Sequence, residues 1–433
     1  MNGVLKTASG LGWTLAGFIF FGFQGRFWER PAIRFPAGRP TADFSGGEHR
    51  SNRAFPPPAG REKGRSPIAA ERVTTDIHLP PGDREAIVEY RLGETESRVS
   101  LFAGNRVWAA VLPEEDRIER SVLGFIKETG RSSGNLDSIR KAARRIAVEL
   151  IPFDRELAGL RVDQLIVIPD GILNCLAFEA LRTADNRAFL VEKYSVSYAP
   201  SETALKSFWT KPGLPGRRLL AVGASDPDQG RSGDAPGAYF RCRAIRWVRN
   251  EIDDVSRLFD RNHRCVYLDR EANEENIKRH RGERFQVIHI ASHGRPDDRV
   301  PARAALILSR SPGDDGDLRA EEISGLGMAA DLVVLSACRT ASGAVVSPEG
   351  AGGLPLAFMR AGARSVMATL WRVPDRSTAE FMADFYRHLK SGLGKSRALR
   401  AAKVDMIRRG RSHPFFWAGY VLQGEPNEKI VFD

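Results

Sequence analysis

Two residues with reactive side chains follow apolar stretches that have the pattern of buried strands. His293 comes after Gln286–Ala291, and Cys338 comes after Leu332–Leu335. If these strands are parallel neighbours, both residues lie at the carboxyl edge of the sheet, where open α/β sheets bind their ligands. A thiol next to an imidazole is suited to acyl transfer, because the imidazole can take up the thiol proton and later protonate a leaving amine. Both residues also have structural interpretations, as a small buried side chain and as a hydrogen-bonded turn residue.

Neighbouring residues extend this potential site. The backbone N–H groups of Gly294 and Cys338 are candidates for an oxyanion hole, because glycine permits close approach of a substrate carbonyl. Asp297 and Asp298 either line a pocket for a basic side chain or belong to a surface turn. Arg339 either lowers the pKa of the Cys338 thiol or points to solvent.

Two further segments are candidates for the substrate side of the site. Glu349 precedes a glycine-rich turn into a helix, which indicates either a substrate-side loop or a simple helix entry. The segment Trp371–Asp375 follows a strand and is predicted to form a wall of the pocket.

Metal and cofactor sites are not indicated. His289 and His293 are four residues apart, but on a strand and turn they do not share a face, and no Glu follows His289. The four cysteines show no CxxC pairing, so neither a zinc site nor a disulfide framework is expected, and a reducing cytoplasm fits best. A glycine-containing segment, 223–225, follows a strand without any GxGxxG or Walker pattern, which leaves nucleotide binding as a weaker third hypothesis.

The elements that position these residues alternate between strands and helices, which predicts a mostly parallel sheet with helices on both faces. An antiparallel meander of three strands is expected first, at Ile87–Leu92, Val99–Phe102 and Arg106–Leu112. Further strands are predicted at Gln164–Ile168, Ser195–Tyr198, Arg218–Gly223, Cys265–Leu268, Gln286–Ala291, Ala305–Leu308, Leu332–Ser336, Arg364–Thr369 and Phe416–Leu422. Amphipathic helices are predicted at Leu136–Leu150, Ser377–Leu389 and Lys395–Arg409. Further helices are predicted at Asn250–Phe259 and Glu274–His280, and the carboxylates of the segment Arg246–Phe259 are expected to face solvent.

Composition limits the partners. The 433 residues carry a formal net charge of +11, but the basic residues are scattered without aromatic interleaving, so no specific nucleic-acid partner is expected. Residues 1–30 contain an apolar run, Leu11–Phe23, that is short for a bilayer span, so a membrane is a partner only if this run is an anchor; an unstructured leader is the alternative. Residues 31–84 are rich in Pro, Gly and Arg and are predicted to be disordered.

Several motifs, in order, resemble the CHAT-domain family of caspase- and separase-like proteins. They are Ile166–Leu181, Leu190–Leu205, Val287–Gly294, Leu335–Thr340, Glu349–Trp371 and His413–Gly424. The resemblance covers about two thirds of the chain. The sequence departs from the family pattern at Arg339 and Pro348, and no tetratricopeptide array is found.

The resemblance implies a caspase-like α/β fold, with His293 and Cys338 as the catalytic pair of a cysteine endopeptidase. It also implies a meander and non-catalytic part at 85–215, followed by a catalytic part at 216–424. No cofactor is implied, and the expected partner is a protein substrate or a regulatory protein. A catalytically silent interaction module with the same fold is the alternative hypothesis.

Overall fold

The computed structural model describes residues 84–210, 218–226, 244–297, 299–337, 340–341 and 353–432. The predicted leader and the Pro/Gly-rich segment therefore lie outside the described residues, except for position 84. Within the described ranges, no helix combines the length and the apolar character that a bilayer span requires.

The strands in chain order are β1 (Glu85–Arg91), β2 (Ser97–Ala103), β3 (Arg106–Leu112), β4 (Gln164–Ile168), β5 (Ser195–Tyr198), β6 (Leu219–Gly223), β7 (Arg264–Leu268), β8 (Arg284–Ala291), β9 (His293–Arg295), β10 (Ala305–Ile307), β11 (Asp317–Arg319), β12 (Ala329–Ser336), β13 (Ser365–Thr369) and β14 (Tyr420–Gly424).

The α-helices are α1 (Glu115–Thr129), α2 (Leu136–Leu150), α3 (Asp154–Gly159), α4 (Leu190–Lys193), α5 (Glu202–Thr210), α6 (Val248–Ser256), α7 (Glu274–Lys278), α8 (Ala320–Ser324), α9 (Leu354–Ala361), α10 (Asp375–Lys390) and α11 (Lys395–Arg408). Single 3₁₀ turns connect several of them.

Eleven of the described strands form one sheet in the order β3-β2-β1-β4-β5-β14-β13-β12-β8-β6-β7. The central pairs β12–β8, β8–β6 and β12–β13 are parallel. These strands are buried along nearly their whole length, which explains their continuous apolar runs. The predicted mixed α/β architecture with a large, mostly parallel sheet is confirmed.

The predicted antiparallel meander is present, but it belongs to the large sheet. Strands β1, β2 and β3 pair antiparallel, with Gly104 in the left-handed region (φ 55°) at the tight β2–β3 turn. The other edge of β1 pairs parallel to β4. The meander therefore extends the central sheet.

Two strand predictions differ from the structure, one in its pairing and one in its first residue. Strand β10 pairs antiparallel with β9 and β11 in a separate three-stranded sheet, although its residues are buried like those of a central strand. The last strand begins at Tyr420, later than Phe416, because Pro414–Phe416 forms a 3₁₀ turn. Strand β14 pairs antiparallel with β13 and parallel with β5.

Candidate functional site

The carboxyl ends of β8 and β12 define the position of the site. These parallel strands pair in register, so Ser336 lies opposite Ala291. The N–H group of Ser292 donates to the carbonyl of Ser336 at 3.3 Å, which keeps the two chains together one residue past the end of β8. The pairing confirms the expectation that these two strands end side by side.

His293 begins strand β9 directly after this point and pairs with Ile307 of β10, while Gly294 pairs with Leu306. The imidazole is half-buried and lines a cleft together with Ser336 and Ala337. The rest of the described cleft wall comes from the end of β8, from α6 and the residues before it, and from the segment between the end of β13 and the first turn of α10. These residues are Ala244, Ile245, Val248, Glu251, Ser292, Thr369, Arg372, Val373, Asp375 and Thr378.

The residues on either side of Cys338 and Arg339 are held by hydrogen bonds to the end of β13. The hydroxyl of Thr369 donates to the carbonyl of Ala337, and the N–H group of Thr369 donates to the Thr340 hydroxyl at 3.0 Å. The Thr340 hydroxyl in turn donates to the Ala337 carbonyl at 3.3 Å. Both threonine side chains are buried, so neighbouring backbone is anchored immediately before and after this dipeptide.

Asp375 is a charged residue of the cleft that the sequence interpretation assigned only to a general pocket wall. It starts α10, and its Oδ2 accepts the backbone N–H of Trp247 at 3.0 Å. Burial raises the pKa of the Asp375 carboxyl, backbone hydrogen bonds from Trp247 and Arg246 oppose that rise, and the nearby Glu251 carboxylate adds to it. Asp375 and His293 line the same cleft.

A buried polar chain lies behind the cleft. His289 is fully buried in β8, and its Nε2 contacts Glu251 Oε1 at 2.9 Å while its Nδ1 contacts the Tyr386 hydroxyl at 2.9 Å. Glu251 is only 4% exposed and also lines the cleft. The expectation that the carboxylates of this helix face solvent is therefore wrong for Glu251, because the buried imidazole provides it with a partner in the core.

Gly223 explains how α6 reaches the edge of the sheet. A Cβ atom at this position would lie 2.8 Å from Ile252 Cγ1 and 2.9 Å from Val248 Cγ1. The absence of a side chain thus lets α6 pack closely against the end of β6, which places Glu251 beside His289. Helix packing accounts for the glycine that had suggested a nucleotide site.

The predicted site residues fall into two groups. Cys338, Arg339, Asp298 and Glu349 lie outside the described residues, so their roles stay predictions.

The others have defined surroundings. The Asp297 Oδ1 atom accepts the N–H groups of Arg299 and Val300, and these backbone hydrogen bonds, led by the one from Val300, lower the pKa of the carboxyl. Trp371 is buried and its Nε1 donates to the Phe415 carbonyl at 3.0 Å. Asp297 is therefore held within its own turn and Trp371 within the core, while Thr369 and Arg372 on either side of Trp371 line the cleft.

Comparisons with known proteins agree with this architecture. The family model described as "CHAT domain" matches residues 140–425, which is more than half of the chain. The crystal structure of the Saccharomyces cerevisiae separase–securin complex is similar, with a TM-score of 0.50 and 12% sequence identity. The similarity covers 79% of this chain and 30% of that chain, and at this identity it concerns the fold alone. The caspase-like α/β fold implied by the resemblance is confirmed.

Two further similarities are a solved structure with a lower TM-score and a curated protein that matches over a short segment. The Arg-specific cysteine proteinase gingipain R, an enzyme of Porphyromonas gingivalis, has a TM-score of 0.43 at 11% identity, over 73% of this chain and 75% of that one. Tetratricopeptide repeat protein 28 of Mus musculus is 39% identical over 108 residues. Those residues amount to 25% of this chain and only 4% of the mouse protein.

Proposed function

Because the chain belongs to the CHAT domain family, we propose that it is a cysteine endopeptidase that cleaves a protein substrate by acyl transfer. In this proposal the Cys338 thiolate attacks the scissile carbonyl. His293 accepts the thiol proton and donates it to the leaving amine, which releases the first product. Water then hydrolyses the acyl-enzyme, and the N–H groups of Gly294 and Cys338 stabilise the oxyanion in both steps.

The observation that carries this proposal is the register of β8 and β12. Ala291 and Ser336 are paired across these parallel strands, and His293 and Cys338 each come two residues after a member of that pair. The residues that flank Cys338 and Arg339 are anchored to the same strand end, β13. A backbone held on both sides favours a fixed direction of attack, which is a requirement of nucleophilic catalysis.

We further propose Asp375, in place of Asp297 and Asp298, as the carboxylate that receives a basic substrate side chain. Both carboxylates accept backbone N–H groups, but Asp375 lines the cleft together with His293, whereas Asp297 is not among the residues that line it. Asp375→Asn is expected to reduce cleavage after basic residues, and Asp297→Asn serves as the matched control. Equal cleavage patterns for the two variants would contradict this assignment.

Digestion of a peptide library derived from cellular protein tests the activity itself. The wild type is expected to generate new amino termini that are absent with Cys338→Ala and with His293→Ala. Cys265→Ala is the control, because Cys265 is a free, half-buried cysteine in β7, at the other edge of the catalytic part. Retention of activity in either dyad variant would exclude the mechanism, provided that both variants keep the wild-type melting temperature.

An interaction module that does not cleave remains the second candidate. The observation that favours it is the similarity to tetratricopeptide repeat protein 28, where the matched segment is a small part of a much larger protein. In this case the partner would be a protein bound at or near the cleft, in the cytoplasm. Binding of a protein partner that is equally strong for the wild type and Cys338→Ala, without any cleavage, would support this candidate over the first.

A further inference from the structure

The edge of the large sheet that β3 forms is apolar and partly exposed. Strand β3 is the first strand in the sheet order, and it pairs with β2 along one side only. Five consecutive apolar residues, Val107 to Val111, occupy its centre. Four of them are half-buried, and Val111 is 48% exposed.

An edge of this kind normally carries protection against association. Unpaired N–H and C=O groups of an edge strand can pair with another strand, so edge strands usually contain charged residues, proline or a bulge. The seven-residue strand β3 contains a charge only at its first residue, Arg106, and it contains no proline. At the other edge, β7 is five residues long and all of its residues are partly buried.

We propose that β3 is a dimerisation edge, where the β3 strands of two copies of this chain pair antiparallel around a two-fold axis at Ala109. A two-fold interface uses the same surface on both subunits, so the strand must be complementary to itself. In this register Val107 lies opposite Val111 of the second copy. Trp108 lies opposite Ala110, so the large indole faces a small side chain. Such cross-strand apolar pairs stabilise antiparallel sheets.

The charged residues near the ends of β3 support the same register and pairing with a second copy of this chain. With Ala109 on the axis, Arg106 lies opposite Leu112 of the second copy and diagonal to Glu114. Diagonal neighbours are within reach of long side chains, so two Arg106–Glu114 ion pairs close the two ends of the interface. Among the residues that the structure describes, neither Arg106 nor Glu114 forms an ion pair within its own chain, which leaves both charges available.

The first test is a cross-link on the two-fold axis. In an antiparallel pair, opposite Cα atoms are about 4.5–5.5 Å apart, which is within the range of a disulfide. Ala109→Cys is therefore expected to form a covalent dimer in the full chain under mild oxidation, seen on a non-reducing gel. Val431→Cys is the control, because Val431 is also 48% exposed but adjoins Phe432, whose ring packs on Phe259 near the opposite edge. Equal cross-linking of the two variants would overturn the proposal.

The second test measures association without a covalent bond. Sedimentation equilibrium of the wild type is expected to show a dimer, and Val111→Lys is expected to weaken the association by at least about tenfold, because it places a charge on the edge. Val431→Lys, the same substitution at equal exposure, should leave it unchanged. A monomeric wild type, or identical behaviour of the two lysine variants, would exclude pairing through β3.

Discussion

The sheet has two regions where strands end near charged residues, and they use those charges differently. In the first half, β5 ends at Tyr198, whose hydroxyl donates to Glu179, and the Glu179 carboxylate also binds the Lys403 ammonium at 2.7 Å. Glu179 and Lys403 are each 1% exposed. Lys403 comes from α11, so this buried pair joins the last long helix to the first half of the molecule.

In the second half, the corresponding edge of β8 and β12 is open. His293 and Asp375 are partly exposed on the cleft wall, and Glu251 reaches the same cleft from a buried position. Removing one partner of a buried ion pair strongly destabilises a fold, whereas charged groups at an open cleft are candidates for a functional site. The first edge therefore has the features of a structural contact, and the second is where the proposed chemistry would take place.

The largest expected effect is the loss of the buried pair in the first half. Lys403→Met would leave the Glu179 carboxylate buried without its cation, which costs about 3–5 kcal/mol of unfolding free energy. Urea unfolding measures this cost. Arg279→Met is the matched control, since the Arg279–Glu275 pair is exposed and is worth less than about 1 kcal/mol. Similar losses in both variants would remove the structural distinction between the two regions.

A smaller effect concerns buried tyrosines, one from each region. Burial raises the pKa of Tyr198 and of Tyr386 well above the ordinary value, and the negative charges of Glu179 and Glu251 respectively add to the rise. The folded protein keeps both phenols neutral while the unfolded chain ionises them above pH 10. Their stabilisation is therefore present below pH 10 and is lost as the pH rises, by about 1.4 kcal/mol per pH unit for each tyrosine.

The measurement is the slope of unfolding free energy against pH between about pH 10 and 11. Tyr198→Phe and Tyr386→Phe should each make this slope less steep by the contribution of one tyrosine, about 1.4 kcal/mol per pH unit. This holds whatever the effect of each substitution on stability at neutral pH. Slopes equal to that of the wild type would show that these phenols ionise in the folded state.

The smallest expected effect has the opposite sign and belongs to the cleft. Because burial raises the pKa of Asp375, its ionised form is less favourable in the folded than in the unfolded chain. The stability it contributes is present below the unfolded pKa and is lost as the pH rises through the folded pKa. Asp375→Asn is therefore expected to stabilise the protein at pH 7 by less than about 1 kcal/mol, because the group is partly solvated.

The pH dependence provides the check on this prediction. The difference between Asp375→Asn and the wild type in urea unfolding should disappear below about pH 4, where the unfolded carboxyl is protonated. Destabilisation at pH 7 would mean that the Asp375 charge supports the fold, as the Lys403–Glu179 pair does.

Local pattern was sufficient to predict most helices and strands. The apolar residues of α2 recur at helical spacing, and those of β4, β8 and β12 form continuous runs. Both sets are buried in the structure, as these patterns predict. Helix α1 was missed although Ile118, Val122 and Phe125 follow a helical spacing and are buried. The pairing of strands was harder to predict from sequence, because a short apolar strand such as β10 has the same residue pattern in a central or a separate sheet.

Sequence alone identified the candidate site residues that directly follow an apolar strand. His293 follows an apolar strand, which made it recognisable from sequence. Glu251 and Asp375 lie on helices distant in sequence from His293, and nothing local distinguishes Glu251 from a solvent-exposed carboxylate of an amphipathic helix. Its burial depends on the packing of α6 against β6 and on the imidazole of His289, both of which are tertiary features.

The most direct test of the dyad is the pH dependence of Cys338 alkylation, followed by mass spectrometry in the wild type and in His293→Ala. Cys175 and Cys265, both half-buried, are internal references in the same molecule. A dyad predicts that Cys338 reacts well below pH 8, that this reactivity is lost in His293→Ala, and that the two reference cysteines are unaffected. Slow alkylation of Cys338 that does not depend on His293 would contradict the proposed peptidase mechanism.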